Sequence, residues 1–284
     1  MTLWSPKPPL NGAAVFLSAS VPHPERDKRY LAGPLDDWLM LRVIDQRVYD
    51  AVQCLVAQVL MAGGRVVHGG HPSITNAIAA QAGNWLPSTD EVPGKGEPPV
   101  LLYQSEFFAG KSAPPGREEM AASGFAAVHW TGSTLADSHV QELSLIEQYG
   151  IRKEWVETWL HNQAAPGAAH PLREALLVMR LHMLLETQPL AAVCIGGMEG
   201  IEAEAGLYTE LCHHGLLPGD GTVQVLTSTF GAAAQLEGKQ VRLIDGRNRS
   251  TGATAEADLL ERLDYDGVMR KLVAGITTSN RARQ

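Results

Sequence analysis

The chain has 284 residues and a formal net charge of -8, with 45% hydrophobic, 19% charged and 6% aromatic residues. That composition is globular, long enough to bury a sizeable core, and it excludes disordered, collagen-like and coiled-coil chains. The acidic balance argues against a nucleic-acid sheath, which needs positive charge to displace counterions from phosphate, and leaves room for a local basic pocket around a small anion. Apolar runs are short, 190–195 being among the longest, against the ~20 residues that cross a bilayer. Segment 1–12 carries Pro6, Pro8 and Pro9. It is expected to be flexible and lacks the charged start and apolar middle of a signal peptide. A cytoplasmic protein with no membrane or nucleic-acid partner is the expectation. Cys54, Cys194 and Cys212 lie in separate apolar segments without metal-type spacing, so reduced core cysteines are expected, with no metal and no cofactor.

Along the chain, 13–20 is a short apolar run ending in small hydroxyl residues, the pattern of a buried strand. From 42 to 61, Val48, Val52, Leu55, Val56 and Val59 recur at spacings of three and four, which places them on one helical face; Gly63-Gly64 ends that helix. The stretch 65–68 is too short for anything but a strand, and 69–73 turns into a helix running to about 82. The proline- and glycine-rich 84–99 reads as a loop. Strands are expected at 100–103 and 125–129 with a loop around 110–116, then helices at 135–163, broken near Gly150, and 171–186. A strand at 189–195, a Gly196-Gly197 turn, a helix at 199–213, a strand at 222–226 and a helix at 256–274 complete the reading. Strands alternating with helices, each strand apolar on both faces, predict a single α/β domain over 1–284: a Rossmann-like open, mostly parallel sheet with helices on both faces.

In such sheets ligands bind beyond the carboxyl ends of the strands, where helix N-termini point amides outward. Three strands end there in small residues: Ser18-Ala19-Ser20, Gly69-Gly70-His71, and Gly196-Gly197-Met198-Glu199-Gly200. Glycines let a phosphate approach the backbone, so three such turns at one edge point to a nucleotide-like ligand, although each alone also serves tight strand-to-helix packing.

At 100° per residue, Ile201, Ala205, Tyr208 and Cys212 share a face of the following helix, and Glu204 sits about 60° from Ile201, at its border. A carboxylate beside a packed face needs a partner. Glu199 and Glu202 are first-turn acids that the helix dipole favours, standing at the same pocket. Arg180 borders the face of Leu177, Leu181 and Leu184, and Arg173 lies on the same side; anion binding and a snorkelling or salt-bridged arginine fit that placement equally. His71 is placed to contact a ligand from its turn, whereas His68, His213 and His214 have no third ligand for a metal. Ser18 and Ser20 read as hydrogen-bond donors, Trp155 and Trp159 as core or oligomer contacts, and Thr229 as a residue closing the pocket over a ribose or base.

The segments 15–20, 65–72 and 195–204 resemble the three signature segments of the SLOG superfamily, named for DNA-processing protein A and the LONELY GUY (LOG) phosphoribohydrolases, and are most similar to SLOG cluster 3 of bacterial conflict and immunity genes. LOG enzymes carry Pro-Gly-Gly-x-Gly-Thr-x-x-Glu with an arginine on the preceding helix and cut the N-glycosidic bond of nucleoside monophosphates. Arg180 lies 16 residues before Gly196, and Glu204 four after Gly200, as in that motif. The chain differs at Ile195 in place of proline, at one inserted residue before Gly200, and at Ile201 in place of threonine. The resemblance implies a nucleotide-derived ligand, with Glu204 and Arg180 as catalytic residues of an N-glycosidase in antiviral defence. Alternatively, the chain is a non-catalytic sensor of a cyclic or ADP-ribose-type nucleotide. A homo-oligomer is implied, with room for an operon-encoded protein partner.

Overall fold

The computed structural model describes residues 8–23, 38–85, 98–109, 125–134, 149–164, 167–245 and 263–281. The first apolar run forms β1 (Ala14–Ser20), buried along its whole length, as a strand covered on both faces must be. It is followed by α1 (Trp38–Met61) and β2 (Arg65–His68). The valines of α1 are weak helix formers, each costing up to about 0.7 kcal/mol relative to alanine. Val48, Val52, Val56 and Val59 are all fully buried, and each such burial contributes about 1.5–3 kcal/mol, so packing decides the helix. It stops in a Schellman turn: Gly63 N–H donates to Leu60 O and Gly64 N–H to Val59 O, both at 2.9 Å, with Gly63 at φ +71°, where a Cβ is strained.

Then come α2 (Pro72–Trp85), β3 (Val100–Ser105) with a 3-10 turn at Glu106–Phe108, and β4 (Ala126–Thr131). The second half holds α3 (Lys153–His161), α4 (His170–Thr187), β5 (Ala191–Gly196), α5 (Glu199–His213), β6 (Val223–Leu226), α6 (Gly231–Gln235), β7 (Val241–Leu243) and α7 (Tyr265–Arg281). The seven strands form one sheet in the order β4-β3-β2-β1-β5-β6-β7, every neighbouring pair parallel. This is the expected Rossmann-like α/β fold. Alternate residues face opposite layers: Val15, Leu17, Val193 and Ile195 pack under α1, α2 and α7, and Phe16, Ala192 and Cys194 under α3 to α6.

Some boundaries differ from the sequence reading. The break expected near Gly150 is there: Tyr149 is helical, Gly150 turns at φ +64°, and α3 starts at Lys153 and ends at His161, two residues short of 163; 135–148 lies outside the described residues. The last helix starts at Tyr265 and runs on to Arg281; 256–262 is likewise outside them. β7 was not anticipated: it is three residues long and its last two positions are exposed, so no apolar run announces it, and its pairing with β6 is what makes it a strand. No described helix is long and apolar enough to cross a membrane. The chain leaves β1 towards β2, β3 and β4, then crosses back to lay β5 against the other side of β1. Strand order therefore reverses between β1 and β5, which puts a crevice at their carboxyl ends.

Candidate functional site

In the β1–β5 register, Ser18 lies opposite Cys194 and Ser20 opposite Gly196. Ser18 faces the α3–α6 layer, where its hydroxyl donates to Glu204 Oε2 at 2.5 Å. Arg180 Nε donates to Glu204 Oε1 at 3.0 Å, and its Nη1 donates both to Gln163 O at 2.7 Å and to Gln163 Oε1 at 3.0 Å. Gln163 is anchored in turn, its Nε2 donating to Trp159 O at 2.7 Å. Three elements thus meet on one carboxylate: the end of β1, the middle of α4 and the second turn of α5. The Arg180 side chain is 4% exposed and that of Glu204 14%. This is a buried ion pair whose carboxylate keeps a window to the cavity. Cys194, behind Ser18, is enclosed, and burial followed by the Glu204 charge pushes its thiol far up, which makes it inert as a nucleophile.

That window opens on a cavity of about 550 Å³, within the usual range for small-molecule sites. From the β1 and β2 ends it is lined by Ser20, Gly69, Gly70 and His71, and from the β5–α5 turn by Met198, Glu199 and Gly200, with Arg180 and Glu204 at its back. The structure therefore gathers most of the residues read from the sequence. Ser18 reaches the cavity through Glu204. Gly196, Gly197, Glu202 and Thr229 are not part of its wall. Glu202 is exposed on α5. Thr229 is fully buried, its hydroxyl donating to Leu226 O at 2.7 Å and accepting from Gly196 N–H at 2.8 Å, so it braces the turn from behind.

The two glycines shape that turn. Gly196 and Gly197 have φ of +61° and +76°, and a Cβ on Gly196 would stand 2.7 Å from Ser20 O, while one on Gly197 would run into the Ile201 side chain. Their amides are spent inside the fold: Gly196 on Thr229, and Gly197 on Ser20 O at 2.7 Å. The donors left at the mouth of α5 are the amides of Met198 and Gly200, which make no hydrogen bond among the described residues. Gly200 also keeps the helix close to the guanidinium, since a Cβ there would lie 3.3 Å from Arg180 Nη2.

On the β2 side, Ser73 Oγ accepts from Val21 N–H at 3.0 Å and donates to His71 Nδ1 at 2.8 Å, and Ser73 N–H also reaches that nitrogen at 3.3 Å. His71 Nδ1 is thus an acceptor and Nε2 carries the proton. His68 lines the cavity as well; its Nδ1 accepts from Gly70 N–H at 3.2 Å. Burial lowers the His68 pKa from 6.5 to about 3, so it is neutral. A folded state that refuses a proton the unfolded chain accepts below pH 6.5 loses stability as the pH falls from 6.5 towards 3, and keeps that contribution in full above 6.5. His68→Gln is expected to flatten this acid-side loss when urea midpoints are compared across that range; an unchanged slope would refute the assignment.

Sequence reasoning missed Gln163, Gln104 and Phe108. Gln163 sits in the α3–α4 connection, where nothing in the local pattern marks it. Gln104, a polar residue at the end of an apolar strand, carried a readable signal: its Nε2 donates to Gly69 O at 3.0 Å and holds the second glycine turn. Arg173 leaves the site, since its Nη1 donates to His161 O at 3.1 Å, where a cation suits the carboxyl end of α3. Trp159 is core and Trp155 stacks on His214 with ring centroids 3.6 Å apart. Among the described residues no group of three or more His, Cys, Asp or Glu side chains is placed to hold a metal ion.

The Gln163–Arg180–Glu204 network lies within a segment that matches a family model. Residues 163–269 match the model of the SLOG cluster3 family. Over that segment the chain is similar to the SLOG cluster3 family. The matched segment begins at Gln163 itself and contains Arg180, the β5–α5 turn and Glu204, whereas Ser18 and the glycine turn after β2 precede it. Comparison with curated proteins and with solved structures gives no match.

Proposed function

We propose that the cavity binds a nucleotide-derived ligand and hydrolyses its N-glycosidic bond. The observation that carries this reading is the Glu204 carboxylate, fixed by Ser18 and Arg180 and open to the cavity at the strand-order reversal. Breaking the C1′–N bond leaves positive charge on the ribose ring, and a preorganised carboxylate stabilises it. Water then adds to C1′, its proton passing by way of Glu204 or solvent to the departing base, so the products are free base and the ribose phosphate. Glu199, at the same wall, adds a second negative charge that suits a cationic transition state and opposes a phosphate placed directly beside it. The Met198 and Gly200 amides, the Ser20 hydroxyl and Arg180 Nη2 are the donors that favour one. Arg180 thus serves first as the counter-ion of Glu204, with one guanidinium nitrogen left for the ligand. The Phe108, Leu172, Leu176 and Met179 side chains provide an apolar wall for a base.

Two observations favour the sensor as a second reading. Ile201, buried and apolar, stands where the LOG motif has a hydroxyl, and the arginine is held on two sides by the protein. Titration calorimetry with adenosine and adenosine 5′-monophosphate tests the ligand class: the phosphorylated compound is expected to bind at least about tenfold tighter, as two or more charge-assisted hydrogen bonds allow. Equal affinity for adenosine would overturn the phosphate assignment.

A further inference from the structure

A second cavity, of about 420 Å³, lies between α7 and the β5–β6–β7 side of the sheet. Its floor is Gln224, a mid-strand residue only 7% exposed. Arg242 is its register partner on β7 and faces the same side. Among the described residues the Gln224 side-chain amide has no hydrogen-bond partner, and neither Arg242 nor Lys271 pairs with a carboxylate. That amide opens onto the cavity, where a ligand can reach it. The facing helix supplies Val268, Leu272 and Ile276 as an apolar wall and Lys271 at the rim. It also supplies Gly275, where a Cβ would meet nothing within 4 Å. Glycine in a helix interior is unfavourable, and here its effect is to leave the cavity open.

We propose that this cavity binds a small organic anion with an apolar body. The body lies between α7 and the sheet, the anionic head meets Arg242 and Lys271, and the Gln224 amide takes a polar atom between them. The proposal is independent of the Glu204 site, which lies at the carboxyl ends of the strands.

Octanoate is the probe, titrated calorimetrically into the full chain, with octanol and octylammonium as controls. Octanoate is expected to bind one to one and about tenfold or more tighter than octanol, because the charged head adds charge-assisted hydrogen bonds. Arg242→Ala together with Lys271→Ala should bring octanoate down to the octanol level. Gly275→Phe should abolish binding of both by filling the cavity, while Gly275→Ala, a substitution that favours the helix, should retain it; circular dichroism establishes that each variant folds. No octanoate binding, octanol or octylammonium binding as tight as octanoate, or octanoate binding undiminished in folded Gly275→Phe would each overturn the proposal.

Discussion

Glu204→Gln is expected to lower release of free base by a factor of about 100 or more, the usual consequence of removing preorganised electrostatic support from a charged transition state. Ligand affinity should change by only a few-fold. The substitution suits the site because glutamine keeps the shape and loses only the charge. Its oxygen can accept from Arg180 Nε, and its amino group can donate to Ser18, whose hydroxyl turns from donor to acceptor. Chromatography of the base after incubation with nucleoside monophosphates and with NAD measures the effect. Undiminished release in the variant would place the chemistry on other residues. No release from the wild type, with Glu204→Gln altering affinity instead, would favour the sensor.

The largest loss of stability is expected from Arg180→Ala. The arginine is 3% exposed, and its removal leaves the Glu204 carboxylate, itself 14% exposed, without a counter-ion. It also leaves two Gln163 oxygens without their donor. Breaking one side of a buried pair costs about 3–5 kcal/mol, more than most single substitutions. Urea denaturation measures it. Arg180→Lys should recover little, since an ammonium cannot reproduce the separate Nε and Nη1 contacts. The double variant Arg180→Leu with Glu204→Leu should be more stable than Arg180→Ala, because no charge is then stranded. If Arg180→Ala costs less than about 1 kcal/mol, the range of an exposed pair, Glu204 is solvated and its proposed preorganisation fails.

Much of the architecture was legible in the chain because its signals are local. The alternation of apolar runs with three- and four-residue spacing located six of the seven strands and their covering helices, since a strand buried on both faces must be apolar at every position, as β1 is. The same reading found the three turns at the carboxyl edge, and it singled out Glu204 and Arg180 because each borders a packed face that a charge does not enter unpaired. Other features are properties of contact. β7 exists through its pairing with β6 and has no apolar run of its own. Gln163 joins the site from a connection 17 residues before Arg180, at a distance no spacing rule encodes.

The sequence by itself determined the α/β class with helices on both faces of a parallel sheet, and the glycine turns at the strand ends. Only the tertiary structure decided that Arg180 belongs first to Glu204, that the Gly196 and Gly197 amides are spent on Thr229 and Ser20, and that Thr229 stands behind the turn instead of over a ligand. Hydrophobic periodicity is written residue by residue. The partners of a buried donor or acceptor depend on which distant segments the fold brings within about 3 Å.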